Sequence, residues 1–170
     1  MKALVMYESM FGNTETVARA VADGMAGQFE VTVADVRTMP RAFGMDVIVV
    51  GGPTHAFGMS RPATRQDALR QGAQREGVVD VGLREWLDTS PQLTGIAAAA
   101  FDTKVDKPFT GSAGRKADRR LHRLGCRVLV PAESFHVGGT PGPLADGERE
   151  RARRWGEAVA AAAVTALHRI

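Results

Sequence analysis

At 170 residues and 44% hydrophobic content the chain is large enough for one core and shows no linker-like stretch, which predicts a single domain over residues 1–170. One cysteine, Cys126, excludes an intramolecular disulfide framework, and no Cys/His cluster has the spacing of a metal site. The formal charge is +3 and the pI about 9.5, with arginine concentrated at residues 115–127 and 149–154; no nucleic-acid motif accompanies these runs, so they read as plain solvated helix faces or, functionally, as a surface for an acidic protein partner.

The first apolar run, residues 3–7, is shorter than the core of a signal peptide and far short of a membrane span, which predicts a soluble, cytoplasmic protein without membrane insertion. It suits a buried parallel strand. Ser9, Met10, Phe11, Gly12, Asn13 and Thr14 follow, and a helical pattern then places Val17, Ala18, Val21, Ala22 and Met25 on one face. The N–H groups of a first helical turn have no partners within the helix, and the helix dipole is positive there, so a phosphate dianion fits this strand-to-helix turn. Ser9 and Thr14 add hydroxyl donors, Gly12 permits close backbone approach, and Asn13 or Thr14 can cap the helix. Turn and capping chemistry alone would select the same residue types. There is no Gly-x-Gly-x-x-Gly and no Gly-Lys-Ser/Thr, which argues against a dinucleotide fold and an NTPase.

Residues 31–36 form a β-rich second strand, and residues 46–51, with Val47, Ile48, Val49 and Val50, a buried third. Pro53, Thr54, His55, Ala56, Phe57 and Gly58 then lie at that strand's carboxyl end, where open α/β sheets bind ligands. Pro53 and the glycines give an irregular backbone, and Phe57 or His55 can stack on a planar ring; as an ordinary loop anchor and a solvent-facing histidine they need no ligand. Ser60, Arg61 and Pro62 open a polar helix to about Gln74, residues 77–82 connect, and residues 83–87 form a short helical turn with Trp86 inward. Residues 95–101 are alanine-rich, but the glycine start, shortness and position in the alternation make them the fourth strand. Phe101, Asp102 and Thr103 then stand at its carboxyl end, with Lys104 read as a surface lysine. A basic amphipathic helix spans residues 112–124, and Pro131 confines the continuation of the fifth strand, residues 127–137, to an edge. Residues 136–143 form a fourth loop at the same edge, whose glycine density would allow close ligand approach although a plain turn explains it more simply, and residues 148–168 read as the last helix.

The order β-α-β-α-β-α-β-α-β implies a three-layer α/β/α sandwich with a five-stranded, mainly parallel sheet. Ser9 to Thr14 resembles the Ser/Thr-x-Thr-Gly-Asn-Thr phosphate loop of the flavodoxin family, with Phe11 at the family's usual threonine, and Pro53 to Gly58 resembles its second flavin-contacting loop. The resemblance implies strand order 2-1-3-4-5 and a non-covalent FMN. Its phosphate would bind at Ser9, Met10, Phe11, Gly12, Asn13 and Thr14, and its ring would lie between Pro53–Gly58 and Phe101–Thr103. The family's third loop usually presents a tyrosine; the one tyrosine here, Tyr7, is inside the first strand, so the resemblance implies that Phe101, Thr103 or a residue from Lys104 to Phe109 serves instead. In the family a carbonyl of the second loop turns toward the reduced ring, and Gly58 is the residue most able to permit that turn. The implied role is one-electron transfer between redox partners, with no catalytic side chain. The alternatives are an FMN-dependent NAD(P)H:quinone-type oxidoreductase and an interaction module without flavin, and the oligomeric state stays open.

Overall fold

The structure is a computed structural model that describes residues 1–73 and 79–169. Strands β1 (Lys2–Tyr7), β2 (Glu30–Asp35), β3 (Val47–His55), β4 (Gly58–Met59), β5 (Ala97–Val105), β6 (Arg127–Val128) and β7 (Glu133–Val137) alternate with helices α1 (Asn13–Met25), α2 (Pro62–Arg70), α3 (Leu83–Thr89), α4 (Ala113–Arg123) and α5 (Glu148–Leu167). The expected helix end at Gln74 and part of the 77–82 connector lie outside the described residues.

One sheet runs β2-β1-β3-β5-β6, all parallel, with β7 also on β5 and β4 antiparallel on the end of β3. It thus has seven strands where five are expected, for two local reasons. The third strand runs on to His55 and folds back as the two-residue β4. The fifth is broken: β5 advances three residues, Ala98 to Phe101, while its neighbour advances five, Val128 to Glu133. The excess loops out around Pro131, which has no N–H for a ladder.

Side chains alternate across the sheet and fill two cores. Ala3, Val5, Val49, Ala99 and Phe101 face α1 and α5, whereas Leu4, Met6, Ile48, Val50, Ala98 and Ala100 face Trp86 and Leu87 of α3 and Leu121 of α4. The alanines of β5 are therefore interior on both faces, which explains why a helix-favouring residue is tolerated in this central strand: its small side chain lets both layers approach. The Phe101 ring fills the place a Cβ would occupy on Gly51, 2.0 Å away, and makes edge contacts with Phe135 and Trp155 at centroid distances of 6.1 Å each.

Helices α1 and α5 pack backbone to backbone. A Cβ on Gly24 would lie 2.0 Å from the Arg153 carbonyl oxygen, and one on Gly156 2.2 Å from that of Val21. Among the described residues no helix is long and apolar enough to cross a membrane.

Candidate cofactor site

Parallel strands bring their carboxyl ends to one sheet edge, so the loops after β1, β3 and β5 converge there. Helix α1 starts at Gly12 in the left-handed conformation (φ 94°, ψ −11°) with no side-chain cap, correcting the expectation of an Asn13 or Thr14 cap; Asn13 is already helical. The Gly12 N–H donates to Ser9 Oγ at 3.1 Å. No protein acceptor among the described residues meets the N–H groups of Asn13 and Thr14. Helices α3 and α4 differ: the Leu83 N–H donates to Glu8 Oε1 (2.8 Å), the Ala113 N–H to Thr54 Oγ1 (3.0 Å), the Gly114 N–H to Asp102 Oδ2 (2.9 Å) and the Arg115 N–H to Ser112 Oγ (3.0 Å). The donors of α4 are consumed by the protein, whereas those of Asn13 and Thr14 stay available to an anion.

A cleft of about 120 Å³ opens over this helix start. Ser9, Met10, Phe11, Asn13, Thr14, Pro53, Thr54, His55 and Thr103 line it, drawn from all three expected loops. Buried Thr14 Oγ1 lies 2.8 Å from Thr103 Oγ1, tying the first turn of α1 to β5. Lys104, Val105, Val137 and Thr140 complete the lining. Val137 and Thr140 belong to the fourth loop, residues 136–143, read from sequence first as a plain turn and second as open to a ligand; Asn13 Nδ2 donates to the Pro141 carbonyl at 3.3 Å, and a Cβ on Gly142 would sit 2.7 Å from Asn13 Oδ1. Glycine density was the one available signal for that approach.

Six expected residues fall elsewhere. Gly12 shapes the helix start without lining the cleft. Phe101 is in the core, and Asp102 is buried with its Oδ2 accepting from Ser112 Oγ (2.5 Å) and the Gly114 N–H; β5 runs on to Val105, so both are strand residues rather than loop residues. Ala56 and Phe57 take positive φ (42° and 72°), and Phe57 is 65% exposed. The reversal therefore falls on these two and not on Gly58, which pairs with His55 in the β3–β4 hairpin. The Lys116 side chain lies over Gly58: a Cβ there would sit 2.7 Å from Nζ, the movable end of that side chain.

Beneath the loops lies a buried polar cluster that the sequence did not announce. Ser60 Oγ donates to Glu8 Oε2 (2.5 Å) and accepts from Arg65 Nη1 (2.9 Å), and Arg65 donates to both oxygens of Glu85 (3.0 and 2.7 Å). Ser60 is thus committed to this cluster, and α2 begins one residue later than expected, with Arg61 as its cap. Burial pushes the Glu8 carboxyl above its usual range, while the Ser60 and Leu83 bonds and Arg65 act the other way. His55, 3.2 Å from Thr64 Oγ1, is lowered by burial and then by Arg65, which keeps it neutral at pH 7.

Comparison with known proteins decides the family. The flavodoxin family model matches residues 5–155. The chain belongs to the flavodoxin family. FMN is its cofactor. No curated protein matches the chain. Among solved structures, flavodoxin 1 of Bacillus cereus is 22% identical (97% of this chain, 98% of that one, TM-score 0.68). An archaeal flavodoxin is 20% identical (96% and 99%, TM-score 0.68), and the flavodoxin of Streptococcus pneumonia TIGR4 19% (95% and 99%, TM-score 0.68). At these identities the likeness is one of fold.

The residues present fit one end of FMN. Neutral N–H donors, the Ser9 and Thr14 hydroxyls and a left-handed glycine suit a phosphate, and the cleft is small against the ~300–1,000 Å³ of pockets that enclose a whole ligand, so it has room for one end of such a cofactor.

Proposed function

We propose that this protein is a single-domain, one-electron carrier between redox proteins, in which Ser9–Thr14 hold the FMN phosphate and the ends of β3 and β5 with the turns that follow them, residues 53–58 and 103–112, flank its ring. The observation that carries this reading is the first turn of α1, where Asn13 and Thr14, whose N–H groups meet no protein acceptor among the described residues, line a cleft built from the ends of β1, β3 and β5. FMN, when bound, supplies the single-electron chemistry. The chain's own residues bind and orient it: Thr14 and Thr103 fix the helix start against β5, Asn13 holds the 138–143 turn alongside, and the Glu8–Ser60–Arg65 cluster anchors the hairpin that bears Ala56 and Phe57. The excess positive charge calls for an acidic partner.

Titration with FMN followed by fluorescence quenching tests the binding. One equivalent bound, with a yellow product that anaerobic NADPH reduces only slowly, supports the carrier. Fast NADPH oxidation would replace it with a reductase of quinone-type acceptors, and no binding would leave an interaction module.

A further inference from the structure

A cavity of about 570 Å³ opens at the sheet edge opposite the cofactor cleft. Met45 and Ile96, which line it, stand just before β3 and β5, whereas the cofactor cleft sits at the far ends of the same strands. From Val47 to Thr54, β3 spans roughly 23 Å at ~3.3 Å per residue, so a molecule in the cavity does not touch the proposed flavin site. The walls are the loop at residues 39–45 and the end of α3 with the residues that follow it, up to Ile96. Protein hydrogen bonds hold them in place. Trp86 Nε1 donates to the Pro40 carbonyl (2.9 Å), joining the two sides, and the N–H groups of Met39 and Met45 donate to the Val36 and Ala42 carbonyls (2.9 and 3.1 Å). The concavity is therefore preformed, and its volume falls within the ~300–1,000 Å³ of small-molecule sites.

Exposure and charge define the occupant. Among the described residues, five large apolar side chains are strongly exposed: Met1, Met39, Phe43, Phe57 and Phe109. Phe57 and Phe109 belong to the turns proposed to flank the FMN ring, and Met1 is the first residue. Met39 (45% exposed) and Phe43 (93%) both line this cavity, which the cofactor does not reach. With Met45 and Trp86 they give the wall two thioethers and two aromatic ring systems, surfaces that favour an aromatic body through ring-edge and sulfur–ring contacts. Several polar atoms of the wall are already spent: Trp86 Nε1 on Pro40, Ser90 Oγ on the Trp86 carbonyl (2.7 Å) and Thr89 Oγ1 on the Glu85 carbonyl (2.8 Å). Gln92 and Thr94 add neutral groups at the rim. Among the described residues Arg41 is the one charged member of the lining, and its guanidinium has no carboxylate or hydrogen-bond partner there. A free guanidinium beside an apolar wall selects a carboxylate, which its paired N–H donors match in geometry and charge.

We propose that this cavity binds an aromatic monocarboxylate, its ring system among Met39, Phe43, Met45 and Trp86 and its carboxylate on Arg41. A protein surface would cover the protruding Phe43 but leave a concavity of this volume unfilled. The site is independent of the carrier reading, since the two linings share no residue.

The test titrates the full chain with 1-naphthylacetate and with its neutral amide, followed by calorimetry and by the indole N–H signals of the two tryptophans in a nitrogen–proton NMR spectrum. One equivalent of the acid should bind and shift the Trp86 signal while that of Trp155, on the opposite core and assigned through Trp155→Phe, stays in place. The amide should bind roughly fivefold more weakly or worse, and Arg41→Gln should bring the acid down to the amide's affinity without changing the amide. Phe43→Ala, a change at an exposed position that leaves the core intact, should weaken both probes roughly fivefold. Prior addition of FMN should leave the acid's affinity unchanged. Equal affinity for acid and amide, an acid indifferent to Arg41→Gln, displacement of the acid by FMN, a shift at Trp155 in place of Trp86, or no binding would each overturn the proposal. So would a dimer in sedimentation that Phe43→Ala dissociates, because a second copy of the chain would then be the occupant.

Discussion

Thr14 and Thr103 share a buried hydroxyl contact of 2.8 Å that joins the first turn of α1 to β5. Both are buried and both line the cleft, so on the proposed site the pair couples the phosphate end to the ring end. In Thr103→Val the shape is kept but Thr14 loses its partner. A loss of about 1 kcal/mol of stability and weaker FMN binding by roughly tenfold are expected, read by urea denaturation and FMN fluorescence. Equal affinity in the variant would mean that the contact is purely structural.

The Glu8 carboxyl gives a pH signature. Its folded-state pKa is raised from an ordinary 4.5, so the stability it contributes is present in full below that value and declines as pH rises through the folded value. Glu8→Gln keeps an acceptor for the Leu83 N–H but does not titrate. The variant's stability relative to the parent should therefore improve from pH 4.5 upward, measured as the difference in urea midpoints. A difference that is flat with pH, or that runs the opposite way, would show that Arg65 and the two hydrogen bonds outweigh burial.

Two glycines on the helical side separate steric need from conformational need. Gly156→Ala drives a methyl to 2.2 Å from the Val21 carbonyl oxygen and should cost about 1–3 kcal/mol. A methyl added at Gly27 would meet no atom within 4 Å, and the φ there is not positive, so Gly27→Ala should stabilise by about 0.4–1 kcal/mol. Scanning calorimetry of both variants checks the opposite signs.

Lys116 places its ammonium against Gly58 in the second loop. Full reduction leaves negative charge on a flavin, and a nearby cation favours that charge. The potential for the second electron should be less negative than in an acidic flavodoxin, and Lys116→Glu should make it more negative by tens of millivolts. Anaerobic redox titration reads both; a potential as low as that of the acidic proteins would reject the argument.

The parts of this molecule written in local chemistry were readable beforehand. The apolar run of β1, the small polar residues after it and the spacing of Val17, Val21 and Met25 each follow from period and turn chemistry over a few neighbours. What escaped was set by contacts distant in sequence. Phe101 looks like a loop aromatic until Gly51 leaves space for its ring on the opposite strand, and β5 extends to Val105 because β3 and β7 offer it ladders. Thr140 enters the cleft because Asn13 holds Pro141, which no pattern in 138–143 encodes. Ala56 and Phe57 take the left-handed turn while the glycine beside them is paired with His55 in the hairpin.

The clasp at Gly24 and Gly156 joins helix α1, whose first turn is the proposed phosphate site, to α5, a helix far from it in the sequence. On that reading the anion-binding turn gains its backing only once the distant segment has docked, so riboflavin phosphate and the seam between the two helices stabilise one another.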